Sequence, residues 1–168
     1  MTCRAADLIV DCIARQGLDR AFCVPGESYL SVLDAFGSSN AVDLVTCRHE
    51  GGAGYMAVAD AKLTGRAGVA FVSRGPGATN ASIAVHTAEQ DAVPMLLFVG
   101  QVARKDLGRG AFQEIEYESY FEGIAKWVHT VRDAAELPEV IATAVRIAST
   151  PSKGPVVIVL PEDMLEDQ

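Results

Sequence analysis

Six short apolar runs, each separated from the next by a stretch of helical character, constrain this chain more than any other feature. They are Ala21 to Val24, Val42 to Thr46, Gly68 to Val72, Pro94 to Val99, Trp127 to Thr130 and Pro155 to Leu160. The fourth and sixth are apolar at almost every position, as strands covered on both faces must be. Strands that alternate with helices predict parallel pairing, because each crossover needs a dozen or more residues. The expected fold is therefore α/β: an open six-stranded, mainly parallel sheet with helices on both faces.

The connecting stretches support this. Thr2 is placed to cap a first helix whose Leu8, Ile9, Cys12 and Ile13 share one face, and Gly17 ends it. Further helices are expected from Ser28 to Phe36, Gly51 to Leu63, Ala78 to Glu89 and, briefly, Glu116 to Glu122. Asp133 and Glu136 have capping-box spacing before a last helix that runs to Ser149, with Pro138 early enough to be tolerated. One domain is expected over residues 1–162, with residues 163–168 a polar tail or the start of a linker.

Composition narrows the function classes. The net charge is −8, with no block of Lys or Arg, so nucleic acid is not an expected partner. No apolar run approaches the ~20 residues that a bilayer span needs, and no membrane association is expected. Cys3, Cys12, Cys23 and Cys47 form no C-x-x-C pair and read as reduced residues, which suggests the cytoplasm.

In parallel sheets ligands gather outside the carboxyl ends of the strands. The loops expected there are Pro25-Gly26-Glu27, Arg48-His49-Glu50, Ser73-Arg74-Gly75-Pro76-Gly77 and Gly100-Gln101. Glu50 is the most informative residue among them. A carboxylate at the end of a buried strand is costly unless it is used, and in a cleft it can exchange a proton near neutral pH. His49-Glu50 begins like a zinc-protease helix, but Ala53 stands where the second histidine would be, and no metal ligands are expected. Gly52-Ala53-Gly54-Tyr55-Met56-Ala57 matches a dinucleotide fingerprint. However, it follows the second strand, and Arg74 stands where an acid would be expected.

Taken in order, Val24-Pro25-Gly26-Glu27, Arg48-His49-Glu50, Ser73-Arg74-Gly75-Pro76-Gly77 with Asn80, Asp91-Ala92-Val93-Pro94, Gly100-Gln101, Phe112-Gln113-Glu114 and Gly154-Pro155-Val156 resemble a known family. It is the N-terminal, pyrimidine-binding domain of thiamine-diphosphate enzymes of the acetolactate synthase type. The resemblance covers nearly the whole chain. It implies that Glu50 hydrogen-bonds N1′ of the cofactor's aminopyrimidine and so promotes loss of the thiazolium C2 proton, the step that opens chemistry on 2-keto acids.

By the same resemblance Pro25, Gly26 and Glu27 line the pyrimidine and the substrate entrance, while Gly75, Pro76, Asn80 and Gln101 shape the pyrimidine pocket. Phe112 and Gln113 face the reacting carbon, with Gln113 counted beside Glu50 as catalytic. Gly110-Ala111 stand before Phe112 where pyruvate-type decarboxylases place paired histidines, which favours a synthase. The resemblance implies a homodimer, a small 2-keto acid substrate and a diphosphate-binding domain or subunit that carries Mg²⁺. It allows FAD in the complete enzyme. The chain has no Gly-Asp-Gly, so it resembles half a site, either cut from a longer protein or a small subunit of a two-chain decarboxylase. The competing readings from other classes are a non-catalytic dimerisation module and a Rossmann dinucleotide binder.

Overall fold

The computed structural model describes residues 3–168. The expected cap at Thr2 lies outside the described residues, and Arg4 occupies the N-cap position of the first helix. Six strands form one sheet: β1 (Arg20–Cys23), β2 (Asp43–Thr46), β3 (Gly68–Val72), β4 (Met95–Gln101), β5 (Trp127–Thr130) and β6 (Pro155–Pro161). Their order is β2-β1-β3-β4-β6-β5, and every neighbouring pair is parallel. The expected α/β fold is the observed one.

Among the described residues α1 (Ala5–Arg15) precedes β1, and five α-helices connect the strands: α2 (Leu30–Ser38), α3 (Glu50–Thr64), α4 (Pro76–Gln90), α5 (Tyr117–Phe121) and α6 (Leu137–Ser149). Period-two alternation along the central strands divides the core. Phe71, Leu96, Phe98, Val156 and Ile158 pack toward α1, α2 and α6. Ala70, Val72, Leu97, Val99, Val157 and Val159 pack toward α3, α4 and α5. An aromatic stack, Phe71 on Phe98 at 4.5 Å with Phe36 edge-on at 5.3 Å, fills the first layer beneath α2.

The chain leaves β1 toward α2 on one face and leaves β3 toward α4 on the other. The carboxyl ends of these adjacent strands therefore part and leave a crevice between the two loops. That topology places the site.

Two local expectations need adjustment. Gln101, expected in a rim loop, belongs to β4 and is buried, because the strand runs two residues past Val99. Residues 163–168, expected as a polar tail, include the buried pair Met164 and Leu165. Asp163 and Asp167 both bond the Arg104 guanidinium, and the Asp167 carbonyl accepts from Ala5 N–H at 2.8 Å. Average polarity hid an apolar pair that closes the core beside α1. Asp133 and Glu136 do form a capping box, on a single 3-10 turn that leads into α6.

Candidate active site at the carboxyl ends of the strands

β2 ends at Thr46, and Cys47 N–H still donates to the Cys23 carbonyl at 2.7 Å, so the chain stays beside β1 until it turns. His49 Nδ1 then accepts from Gly51 N–H at 3.0 Å and caps α3. Glu50 is consequently the first residue of α3 and half-buried, where the sequence placed it at the end of a buried strand. Its Oε2 accepts from Asn80 Nδ2, on α4, at 3.0 Å. Its Oε1 faces Gly77: a Cβ built there would lie 3.6 Å away. Glycine at position 77 keeps a side chain off the free carboxylate oxygen.

The turn that delivers Gly77 and Asn80 starts at Gly75, in the left-handed region at φ +52°, followed by Pro76 in the first turn of α4. The loop after β1 presses on it. A Cβ on Gly26 would come within 2.6 Å of Ser73 Cβ, so glycine permits the contact. Beneath, the buried Ser28 hydroxyl lies 3.0 Å from that of Ser73 and accepts from Arg74 N–H at 3.3 Å. The buried Tyr29 hydroxyl donates to the Val24 carbonyl. Burial pushes the Tyr29 phenol well above its ordinary range, and the nearby Glu50 carboxylate adds to the shift.

Arg74 ties the rim together. Its guanidinium donates to Glu27 at 2.9 Å and to Glu162 at 2.7 Å, joining the loops after β1, β3 and β6. Glu27 is thereby held at the mouth of the crevice, exposed but paired. Pro25 lies at the same mouth and is exposed as well.

The loop from Val102 to Glu116 supplies the remaining candidates. Glu114 accepts from Gly108 N–H at 2.5 Å and from Ala111 N–H at 3.0 Å. These backbone donors hold its carboxyl below the usual range. Gln113 sits at φ +63°, its backbone and Cβ against Gly75. Phe112 stands out from the surface, 75% exposed. The Gln101 amide is engaged by the protein itself: Nε2 donates to the Ile115 carbonyl at 2.9 Å and Oε1 accepts from Val102 N–H at 2.9 Å. Its position organises the loop and does not present the amide to the crevice.

Glu50, Asn80, Gly75, Pro76 and Gly26 thus come together on one rim, with Gln113 against Gly75 and Glu27 across Arg74. Sequence reasoning missed Ser28, Glu162 and Tyr117. Ser28 carries a weak signal, as a serine opening a helix directly after a Pro-Gly turn; Tyr117 carries none. Gly52 and Gly54 of the dinucleotide-like run lie inside α3, not in a strand-to-helix turn. Gly54 is packed so closely on Ala84 that a Cβ would approach it to 2.5 Å, so that run serves helix packing.

The observed donor set suits an aminopyrimidine. A half-buried carboxylate with one oxygen anchored and the other facing a glycine can take a ring N–H, which a flat ring brings edge-on. Residues 3–120 match the family described as thiamine pyrophosphate enzyme, N-terminal TPP binding domain. The acetolactate synthase catalytic subunit, mitochondrial, of Aspergillus candidus is 40% identical over 158 residues, covering 94% of this chain and 23% of the relative. The acetolactate synthase of Bacillus subtilis is 34% identical, covering 98% and 29%. The acetolactate synthase isozyme 3 large subunit of Escherichia coli is 36% identical, covering 95% and 28%. The chain spans about a quarter of the length of these relatives.

Proposed function

Because the chain belongs to the thiamine pyrophosphate enzyme N-terminal TPP binding domain family, we propose that it forms the pyrimidine-binding half of an acetolactate synthase-like enzyme acting on 2-keto acids. The observation that carries this is the Glu50 carboxylate on the strand rim, held by Asn80 through one oxygen and facing Gly77 with the other. When bound, thiamine diphosphate supplies the thiazolium that accepts electrons during C–C bond cleavage and formation. The protein's own part is proton handling and orientation. Glu50 Oε1 holds a proton at the pyrimidine ring nitrogen, and Asn80 fixes the carboxylate so that the exchange geometry is maintained. Gly75, Pro76 and Gly77 let the ring approach the backbone. Pro25, Gly26 and Glu27 border the entrance, and Phe112 and Gln113 face the substrate side.

The diphosphate and its Mg²⁺ fall to a domain or subunit beyond these 168 residues, and so does any flavin. We assign the complete protein as a homodimer. Among the described residues no helix is long and apolar enough to cross a membrane. Four unpaired cysteines suit a reducing compartment and hence the cytoplasm, although two fungal relatives carry "mitochondrial" in their names.

The test is Glu50→Gln in the complete enzyme. Gln keeps the shape and the Asn80 neighbour but cannot ionise. Exchange of the cofactor C2 proton, followed by NMR in deuterated solvent, is expected to slow about 10²- to 10⁴-fold with circular dichroism unchanged. Exchange at the wild-type rate would mean that Glu50 takes no part in activating the cofactor.

A further inference from the structure

Tyr117 has no part in the proposed proton handling, yet it is where the Gly75 turn and the Phe112-Gln113 loop meet. It is the first residue of α5, 2% exposed, and its ring stacks on Phe121 with centroids 6.3 Å apart. Its hydroxyl oxygen accepts from Gly75 N–H at 2.7 Å, across 42 positions of sequence. That N–H belongs to the N-cap residue of α4, which has no side-chain cap of its own. Left without Tyr117, it would be a buried unpaired donor.

Five residues before Tyr117, the same segment carries Phe112, and Gln113 follows it. Glu114 gathers the Gly108 and Ala111 N–H groups and fixes the loop's shape. Gln113 closes onto Gly75 so tightly that a Cβ on the glycine would lie 2.8 Å from both Gln113 Cβ and its carbonyl oxygen. The turn and the loop therefore meet at Gly75. Tyr117 supplies the hydrogen bond of that contact, and the Gln113 main chain supplies its packing. Burial pushes the Tyr117 phenol up to about 12, opposed by the Gly75 bond, so it remains a neutral acceptor near neutral pH.

We propose that Tyr117 is a positioning residue: by bonding Gly75 it docks the Phe112-Gln113 loop on the cofactor-facing turn and sets the substrate-side residues relative to Glu50. This rests on the reading of the chain as a pyrimidine-binding half. Its consequence is a division of labour. The ring contacts of Glu50, Asn80 and Gly77 lie on α3 and α4, outside the docked loop, whereas Phe112 and Gln113 depend on the docking.

Tyr117→Phe deletes one oxygen and keeps the stacked ring. In the complete enzyme it is expected to lower kcat/KM for the 2-keto acid about tenfold while cofactor affinity stays within about twofold. In the 168-residue chain, hydrogen exchange of the Gly75 amide, read by NMR, is expected to quicken by about the same factor. Unchanged kcat/KM, a parallel fall in cofactor affinity, or a Gly75 amide as protected as in the wild type would each overturn the proposal. The amide measurement requires no turnover. A Glu50→Gln variant with normal C2 exchange would therefore sink the functional reading without touching the Tyr117–Gly75 bond.

Discussion

The rim owes its shape to single residues whose partners lie far away in sequence. Arg74 is the clearest: its side chain is 10% exposed, while its partners Glu27 and Glu162 are 69% and 42% exposed. Removing the cation would not strand buried charges, because both carboxylates can turn to water. The cost of Arg74→Met, which keeps an apolar stem in the buried space, is therefore expected to be that of a partly exposed network, about 1 kcal/mol. Urea unfolding at low and high salt checks it, since the difference between wild type and variant should shrink as salt screens the pairs. A loss above about 3 kcal/mol, insensitive to salt, would instead mark a buried pair broken on one side. Arg74 was visible in the sequence as a rim residue next to Gly75. That it reaches Glu27 and Glu162 was not, because nothing in a linear pattern links positions brought together only by the fold of the sheet.

The pairing of α3 with α4 carries the same lesson at the scale of elements. Ala53, Gly54, Ala57 and Ala61 of α3 and Ala78, Ala81, Ala84 and Ala88 of α4 are all buried where the two helices pack. Small side chains let the two helices approach closely, and that approach brings Asn80 to Glu50. Two glycines of α3 should respond oppositely to the same change. Gly52 is exposed with open space around its missing Cβ, so Gly52→Ala should stabilise by about 0.5–1 kcal/mol through helix propensity. Gly54→Ala gains the same propensity but drives a methyl to 2.5 Å from Ala84 Cβ. Overpacking typically costs about 1–3 kcal/mol, so a net loss of about 1 kcal/mol is expected. Thermal unfolding of both variants decides, and a Gly54→Ala protein at least as stable as wild type would refute the close packing. The alternation of strands and helices was legible because apolar runs report burial on both sheet faces. The helix start at Glu50 was not, because His49 caps through a side chain whose orientation the sequence does not encode. Nor could the sequence tell a packing glycine from a cofactor glycine at Gly52 and Gly54. Both leave the same letters, and only the helix around them separates the two.

At the scale of the whole molecule, what matters is how much of a ligand the rim can enclose. A tight small-molecule site buries about 70–90% of its ligand. Here Glu50 is half-buried, Pro25 and Asn80 are exposed, and Phe112 projects with 75% of its surface free. Such a rim can cover one edge of an aminopyrimidine and leaves the other end of the cofactor in solvent. Electrostatics works in the same direction, since a chain of net charge −8 repels a diphosphate unless cations intervene. Relatives about four times as long supply ample chain to close the other side. Calorimetric titration of the 168-residue chain with thiamine diphosphate and Mg²⁺ is therefore expected to show no saturation up to about 1 mM ligand, the range in which a binding free energy is only about −4 kcal/mol. Adding the remaining portion of the protein, as a separate chain or in one polypeptide, should restore saturable binding, and Glu50→Gln should then weaken C2 exchange more than it weakens affinity. Saturation at micromolar ligand by the 168 residues alone would mean that they enclose both ends of the cofactor. The crevice between β1 and β3 would then have to open toward a phosphate-binding surface other than the rim that Glu50, Asn80 and Gly77 define.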